Sequence, residues 1–136
     1  MKDRDEPPLA LLEAAREAAG HAYAPYSGFA VGAAVETSDG RVFVGANMEN
    51  ASYGLAVCAE VGALQAATTS GALDQVHRIA IVGPKPPTPC GRCRQLLAET
   101  AALSGRDIEV WFADLDFNVV ERRTISALLP DAFELP

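Results

Sequence analysis

Two short segments of the sequence contain residue types that can bind a metal ion and transfer protons. One is Cys58-Ala59-Glu60 and the other is Pro89-Cys90-Gly91-Arg92-Cys93. Three thiolates and one carboxylate match a catalytic zinc site with three protein ligands, an open fourth position for water and an acid/base group. Cys90 and Cys93 are three residues apart, so at the start of a helix they face one ion. We therefore expect Cys58, Cys90 and Cys93 to bind one Zn²⁺ per chain and Glu60 to transfer protons.

Other interpretations of these residues stay open at this point. The Cys90-Gly91-Arg92-Cys93 spacing is also typical of redox pairs of the thioredoxin type, an interpretation that leaves Glu60 without a role. A structural zinc site needs a fourth protein ligand, and His21 and His77 are the only histidines. We interpret both as structural, because His21 ends a predicted helix and His77 begins a predicted strand.

Length, charge and hydropathy limit the classes of function. The chain has 136 residues, of which 49% are hydrophobic, and this predicts a single domain over residues 1–136. Its formal net charge of −7 argues against nucleic acid or an anionic membrane as a partner and favours a small neutral substrate. The start, Met1–Glu6, is charged with no apolar signal region, and no apolar run is long enough to span a bilayer. We therefore expect a cytoplasmic protein with reduced cysteines.

The order of predicted elements indicates an α/β fold, a three-layer α/β/α sandwich around a mixed, about five-stranded sheet. Glu60 reaches the same ion as Cys58 only if its helix points end-on at the metal, since residues two apart do not share a helix face. Trp111 is expected in the core or at an interface rather than as a platform for the substrate. The predicted elements are a helix from Pro7-Pro8 to Gly20, strands Phe29–Val35 and Arg41–Gly45, a helix Leu55–Thr69, a strand His77–Val82, a helix with Cys90 and Cys93, strands Ile108–Ala113 and Val119–Arg123, and a helix capped by Thr124 through Leu129.

Five matched segments, with the two cysteine segments counted as one, resemble the zinc-dependent cytidine deaminases, specifically the small homotetrameric three-cysteine class. The likeness covers nearly the whole chain. It includes Cys58-Ala59-Glu60 with Pro89–Gln95, and also Tyr23–Ser27, Phe29–Ala34, Asn47–Gly54 and Leu128–Phe133. The Asn-x-Glu-Asn segment is similar to that of enzymes for free nucleosides rather than of polynucleotide editors. The resemblance implies hydrolytic deamination of cytidine and 2′-deoxycytidine to the uridine nucleosides, with release of ammonia, in pyrimidine salvage.

The resemblance also implies roles for individual residues. Cys58, Cys90 and Cys93 would bind zinc, and Glu60 would relay protons to N3 and to the leaving amine. Neighbouring subunits of a homotetramer would share active sites. The implied substrate contacts are Phe29 stacking on the pyrimidine, the Ala59 backbone at the base's polar edge, Asn47 and Glu49 at the ribose 3′-hydroxyl, and Ala51, Tyr53 and Phe133 from a neighbouring subunit.

One departure from the family concerns the charge of the three thiolates. Many members carry arginine directly after the catalytic glutamate, whereas this chain has Val61 and then Gly62. Backbone N–H groups, helix dipoles or another cation such as Arg94 would then have to compensate. The departure motivates an alternative, a deaminase of a modified or analogue cytidine such as an N4-substituted cytidine or a blasticidin-like nucleoside. A binding module without catalysis is disfavoured, because a purely structural site has no use for Glu60.

Overall fold

The computed structural model describes residues 6–136, and its elements follow the predicted order. The charged start at Met1–Asp5 lies outside the described residues. None of the helices over residues 6–136 combines the length and the apolar character that crossing a bilayer requires. The helices are α1 Leu9–Ala19, α2 Ala59–Thr69, α3 Gly91–Ser104 and α4 Ile125–Leu128, and the strands are β1 Gly32–Thr37, β2 Val42–Ala46, β3 Val76–Gly83, β4 Glu109–Asp114 and β5 Val120–Thr124.

The five strands form one mixed sheet in the order β2-β1-β3-β4-β5. Strand β1 pairs antiparallel with both β2 and β3, while β3 and β4 are parallel and β5 is antiparallel to β4. The parallel pair needs a crossover connection, which α3 provides. The predicted mixed sheet is confirmed, and the segment that contains Cys90 follows the carboxyl end of β3.

Alternating side chains on the central strands separate two cores, one on each face of the sheet. Ile79 and Ile81 lie in the core that includes α2 and α3, whereas Ala80 and Val82 contact α1 on the opposite face. Trp111 belongs to the α1 side, is 3% exposed, and donates from Nε1 to Glu109 Oε1 at 3.0 Å. The predicted three layers and the core position of this tryptophan are confirmed.

Helix α2 lies unusually close to strand β2, and glycine makes the approach feasible. A β-carbon at Gly45 would lie 2.4 Å from the Ala63 nitrogen and 2.5 Å from the Ala59 oxygen. On the helix side, a β-carbon at Gly62 would lie 3.3 Å from the Gly45 α-carbon. This backbone-to-backbone contact holds the first turn of α2, with Glu60, beside the end of β2.

Several predicted boundaries differ from the structure. Helix α2 begins at Ala59 rather than Leu55, because Cys58 is extended at φ −74° and ψ 154° and Tyr53–Leu55 form a separate 3-10 turn. Cys90 likewise precedes α3 in an extended conformation, at φ −69° and ψ 170°. Strand β1 begins at Gly32 rather than Phe29, since the Asn47 side chain bonds Phe29 O and Val31 N, and within residues 6–136 only Val31 O of this stretch accepts from a backbone N–H, that of Asn47 just after β2.

Candidate metal and nucleoside site

The three cysteines meet at the start of two helices. Their Sγ atoms all lie within 4.8 Å of one another, and Cys58 Sγ is 3.9 Å from Cys90 Sγ. A tetrahedral zinc ion with Zn–S bonds of about 2.3 Å places its sulfurs about 3.8 Å apart. Cys58 and Cys90 are the N-cap residues of α2 and α3, and Cys93 is buried in the first turn of α3. The donor set therefore fits one zinc ion.

The electrostatics of the three thiols also call for a cation. Hydrogen bonds from Cys93 and Cys90 and the positive charge of Arg92 together lower the pKa of Cys58 to about 6, although burial opposes them. The hydrogen bond shared with Cys58, together with burial and the negative charge of Glu60, raises the pKa of the Cys93 thiol. The Cys58 thiolate thus forms at the expense of Cys93, so these two thiols ionise together only around a positive ion.

Glu60 lies in the first turn of α2, directly beside the cysteines. Its side chain is 5% exposed. Burial raises the pKa of Glu60 to about 7, and the negative charge of Cys58 adds to the rise, while hydrogen bonds from its own backbone N–H and from Cys93 oppose it. The expectation that α2 points end-on at the cysteines agrees with Cys58 as N-cap and Glu60 in the first turn. A carboxyl group in this environment is suited to accept and to donate a proton near neutral pH.

The histidines take no part in the cysteine cluster of the described chain. His77 Nε2 lies 3.0 Å from Glu36 Oε2, which also accepts from Arg78, on strands β1 and β3. His21 follows α1 and is exposed. These positions support the structural interpretation of both side chains.

Arg94 does not fill the place of the missing arginine after Glu60. Its guanidinium donates from Nε to the Pro89 carbonyl at 2.8 Å and from an NH group to the Leu128 carbonyl at 3.0 Å. The hypothesis that Arg94 supplies charge to the sulfurs therefore has no support in these contacts. Arg92 is the cation whose charge acts on Cys58.

Asn47 and Glu49 lie on the segment after β2, and both contact the segment that carries Phe29. Asn47 accepts from Val31 N at 2.8 Å and donates to the Phe29 carbonyl at 2.9 Å. Glu49 Oε1 accepts from Tyr26 N and Ser27 N at 2.9 and 3.1 Å. Asn47 keeps one donor hydrogen and acceptor capacity, and Glu49 keeps acceptor capacity, for a further partner.

Ser27 is a residue that the sequence did not single out. Its hydroxyl donates to Glu49 Oε2 and accepts from Phe29 N at 3.0 Å. This side-chain hydrogen bond is the main reason that the pKa of Glu49 lies below its usual range. The available sequence signal is weak, since Ser27 is one polar residue in a turn beside Gly28, which has φ +69°.

The other predicted substrate contacts divide between the interior and the surface. Ala59 is buried at the start of α2, where its N–H is one of those that a helix leaves without an internal partner. Phe29 is half-buried. Ala51, Tyr53 and Phe133 are exposed, Tyr53 by 87% and Phe133 by 68%.

An α/β sandwich with three converging thiols and a buried carboxyl at two helix starts defines a zinc-binding hydrolytic centre. Residues 6–104 match the model of the cytidine and deoxycytidylate deaminase zinc-binding region. The chain is 47% identical to a cytidine deaminase of Halalkalibacterium halodurans over 124 residues, which cover 90% of this chain and 91% of that one. It is 43% identical to a Mycobacterium tuberculosis cytidine deaminase over 122 residues, or 89% and 85% of the two chains.

A solved structure extends this likeness to three dimensions. The crystal structure of cytidine deaminase from Burkholderia pseudomallei superposes with a TM-score of 0.84 and 45% identity, over 94% of this chain and all of that one. The chain belongs to the cytidine and deoxycytidylate deaminase zinc-binding family. The family is the one that the cysteine and glutamate segments predict, and its zinc cofactor is confirmed. The relatives do not favour the alternative of a modified or analogue cytidine.

Proposed function

We propose that this protein catalyses the hydrolytic deamination of cytidine and 2′-deoxycytidine to uridine and 2′-deoxyuridine, with release of ammonia. The observation that carries the proposal is the triangle of three Sγ atoms within 4.8 Å of one another beside the buried Glu60. A site with a metal and a proton-transferring acid can add water to C4 of the base and expel its amine. The family and its relatives named cytidine deaminases support the same reaction.

Cys58, Cys90 and Cys93 are the proposed ligands of one zinc ion per chain. Zinc, when bound, supplies the Lewis acidity that makes water acidic enough to lose a proton near neutral pH. Glu60 takes up that proton and delivers it to N3 of the base. It then takes up the second proton of the same water, from the hydroxyl group newly bonded to C4, and delivers it to the departing amine. Burial raises the pKa of Glu60 to about 7, so one carboxyl group can perform both uptakes and both deliveries.

The nucleoside is held by residues on three segments. We assign the ribose 3′-hydroxyl to Asn47 and Glu49, because each retains hydrogen-bonding capacity after its contacts with residues 26–31. Phe29 offers its ring to the pyrimidine, and the backbone of Ala59 offers a polar group to the base edge. A 3′-phosphodiester would meet the Glu49 carboxylate, which favours a free nucleoside over nucleic acid.

The proposed assembly is a homotetramer in which neighbouring subunits share active sites. Tyr53 and Phe133 support this assembly, because large apolar side chains this exposed are typical of surfaces that a partner covers. Ala51 lies beside Tyr53 on the same exposed segment. Since the formal net charge of −7 disfavours nucleic acid and anionic membranes, we place the enzyme in the cytoplasm, acting on salvaged nucleosides.

An ultraviolet assay of cytidine loss tests the reaction, on protein whose zinc content per chain has been measured. We expect turnover with about one zinc per chain, loss of turnover after chelation, and recovery when zinc is restored. Ammonia release should match uridine formation one for one, as hydrolysis requires. Fully zinc-loaded protein that leaves cytidine and 2′-deoxycytidine unchanged would refute the proposal, and N4-substituted cytidines would then be tested.

A further inference from the structure

Arg94 connects the segment before Cys90 to the end of α4. Its Nε donates to the carbonyl of Pro89, the residue before Cys90, and its NH group donates to the carbonyl of Leu128 at the end of α4. We propose that Arg94 is a positioning residue that holds the Cys90 segment against the C-terminal segment, so that zinc retention depends on residues 128–133. This inference rests on the ligand set of the proposed function.

The segment before Cys90 needs such an anchor because it has few backbone donors. Residues 84–89 form neither helix nor strand, and four of these six residues are proline. Proline has no N–H, so this loop cannot be fixed by an ordinary ladder of backbone hydrogen bonds. Cys90 itself is exposed and extended. The Arg94 side-chain bond to the adjacent Pro89 carbonyl therefore restrains the backbone next to the most exposed of the three ligands.

The second attachment of α3 to the C-terminal segment comes from the next residue. Gln95 Nε2 donates to the Phe133 carbonyl at 3.1 Å. Arg94 and Gln95 thus bind the two ends of residues 128–133, and both follow the ligand Cys93 directly. Through these two side chains, a movement of the segment that contains Cys90 would also move Phe133, and a movement of Phe133 would also move that segment.

Position rather than charge explains the requirement for arginine here. The two carbonyl acceptors are neutral and belong to different segments, so the rigid guanidinium satisfies both with separate N–H groups. A lysine ammonium keeps the charge but cannot reproduce this fixed geometry. Groups that orient metal ligands typically change metal affinity by about 10–100-fold when they are removed.

The test compares zinc dissociation constants, measured by competition with a chelating dye, for the wild-type protein and three variants. Arg94→Met removes both bonds, and Arg94→Lys keeps the charge. Arg16→Met is the matched control, because Arg16 donates to the Leu115 carbonyl at 3.2 Å far along the chain from the cysteines. We expect about tenfold weaker zinc binding for Arg94→Met, most of that loss for Arg94→Lys, and a change within about twofold for Arg16→Met.

Two further readouts separate positioning from general loosening. The cobalt-loaded Arg94→Met protein should show altered sulfur-to-cobalt charge-transfer bands, which the Arg16→Met protein should not. Zinc should slow hydrogen exchange of the amides in residues 129–135 of the wild-type protein, and this protection should be lost in Arg94→Met. Unchanged exchange in these residues would refute the coupling to the C-terminal segment.

Other outcomes also overturn the proposal. Unchanged zinc affinity in Arg94→Met would show that the Pro89 bond positions nothing, and full rescue by Arg94→Lys would assign a charge role instead. An equal loss in Arg16→Met would indicate nonspecific destabilisation. If Arg94→Met does not fold, Arg94→Lys against Arg16→Met decides by the same criteria. A wild-type protein that binds no zinc would refute the ligand set itself, whereas zinc binding without turnover would refute only the proposed reaction.

Discussion

The candidate site has two ends that are built in opposite ways. The cysteine end consists of Cys58, Ala59, Glu60, Cys90 and Cys93, and the sugar end consists of the predicted contacts Phe29, Asn47, Glu49, Tyr53 and Phe133. At the cysteine end, Cys93, Ala59 and Glu60 are buried, and the first turns of α2 and α3 hold them. At the sugar end, Tyr53 and Phe133 are 87% and 68% exposed on segments with little regular structure. One chain therefore holds the proposed reaction centre in regular structure and leaves part of the proposed binding pocket exposed.

The difference follows from how each end is supported. Backbone contact at Gly45 fixes α2 against β2, so the position of Glu60 is set by the sheet itself. The loop with Phe29 is instead held by side chains, since Asn47 and Glu49 bond its backbone. A loop that is held by side-chain hydrogen bonds changes its conformation more easily than a helix packed on a sheet.

The largest expected effect is at the cysteine end. Glu60→Gln removes the acid/base group and keeps its shape, so kcat for cytidine should fall at least about 100-fold. Zinc content should stay near one per chain, because Glu60 is not a ligand in the proposed site. Steady-state kinetics with metal analysis on the same sample checks both expectations, and near-normal turnover of a zinc-loaded variant would exclude the proton-transfer role of Glu60.

At the sugar end we expect a different kinetic signature. Glu49→Gln weakens the bonds from Tyr26 N, Ser27 N and the Ser27 hydroxyl, and it removes a charged partner for the ribose. A hydrogen bond to a charged group contributes about 1.5–3 kcal/mol, so kcat/KM should fall about tenfold or more, mainly through KM.

Ser27→Ala is the matched variant for Glu49→Gln. It removes the hydroxyl that bonds Glu49 and Phe29 N but leaves the carboxylate in place. A smaller loss than that of Glu49→Gln is expected, again in KM. If either substitution lowered kcat alone, these residues would belong to the reaction centre and the contrast between the two ends would be wrong.

The sequence predicts the cysteine end well because the signal is chemical and local. Cys58, Glu60, Cys90 and Cys93 are the residue types that zinc hydrolysis needs, and the α/β order of elements that positions them follows from short hydrophobic periodicities. The sheet and its three layers are confirmed. The roles of these four residues remain predictions that the structure makes geometrically reasonable.

The sequence predicts less where side chains replace regular structure. The predicted start of β1 is three residues too early, because the Asn47 side chain bonds Phe29 O and Val31 N in place of a neighbouring strand. Ser27 and the two carbonyl contacts of Arg94 join residues far apart in the chain, and no local pattern encodes such contacts. The predicted start of α2 is also too early, because Cys58 is extended and forms the N-cap of the helix.

A stability measurement tests whether backbone contact supports the cysteine end. Gly45→Ala would place a β-carbon 2.4 Å from the Ala63 nitrogen, so α2 must shift. Overpacking of this kind costs about 1–3 kcal/mol in the free energy of unfolding, measured by urea denaturation. Gly54→Ala is the control, because a β-carbon there meets nothing within 4 Å. Equal stability of the two variants would show that the close approach of α2 is not required.

The smallest expected effect, and the one that most directly tests the proposed sharing of the pocket between subunits, is at Phe133. Since its side chain is 68% exposed in the single chain, Phe133→Ala should leave the stability of the fold unchanged. Loss of about 1 kcal/mol of binding energy across a subunit boundary would lower kcat/KM roughly fivefold.

Mixing this variant with Glu60→Gln then distinguishes a shared pocket from a local one. Co-refolded subunits can combine Glu60 of one chain with Phe133 of another, so shared sites should give activity above the average of the two parents. Leu135 is also exposed, so Leu135→Ala serves as the control partner in place of Phe133→Ala. This substitution should not change the activity of the sites in the Leu135→Ala protein. Activity equal to the parental average would mean that each chain completes its own pocket. The two ends would then differ in rigidity, but both would come from the same chain.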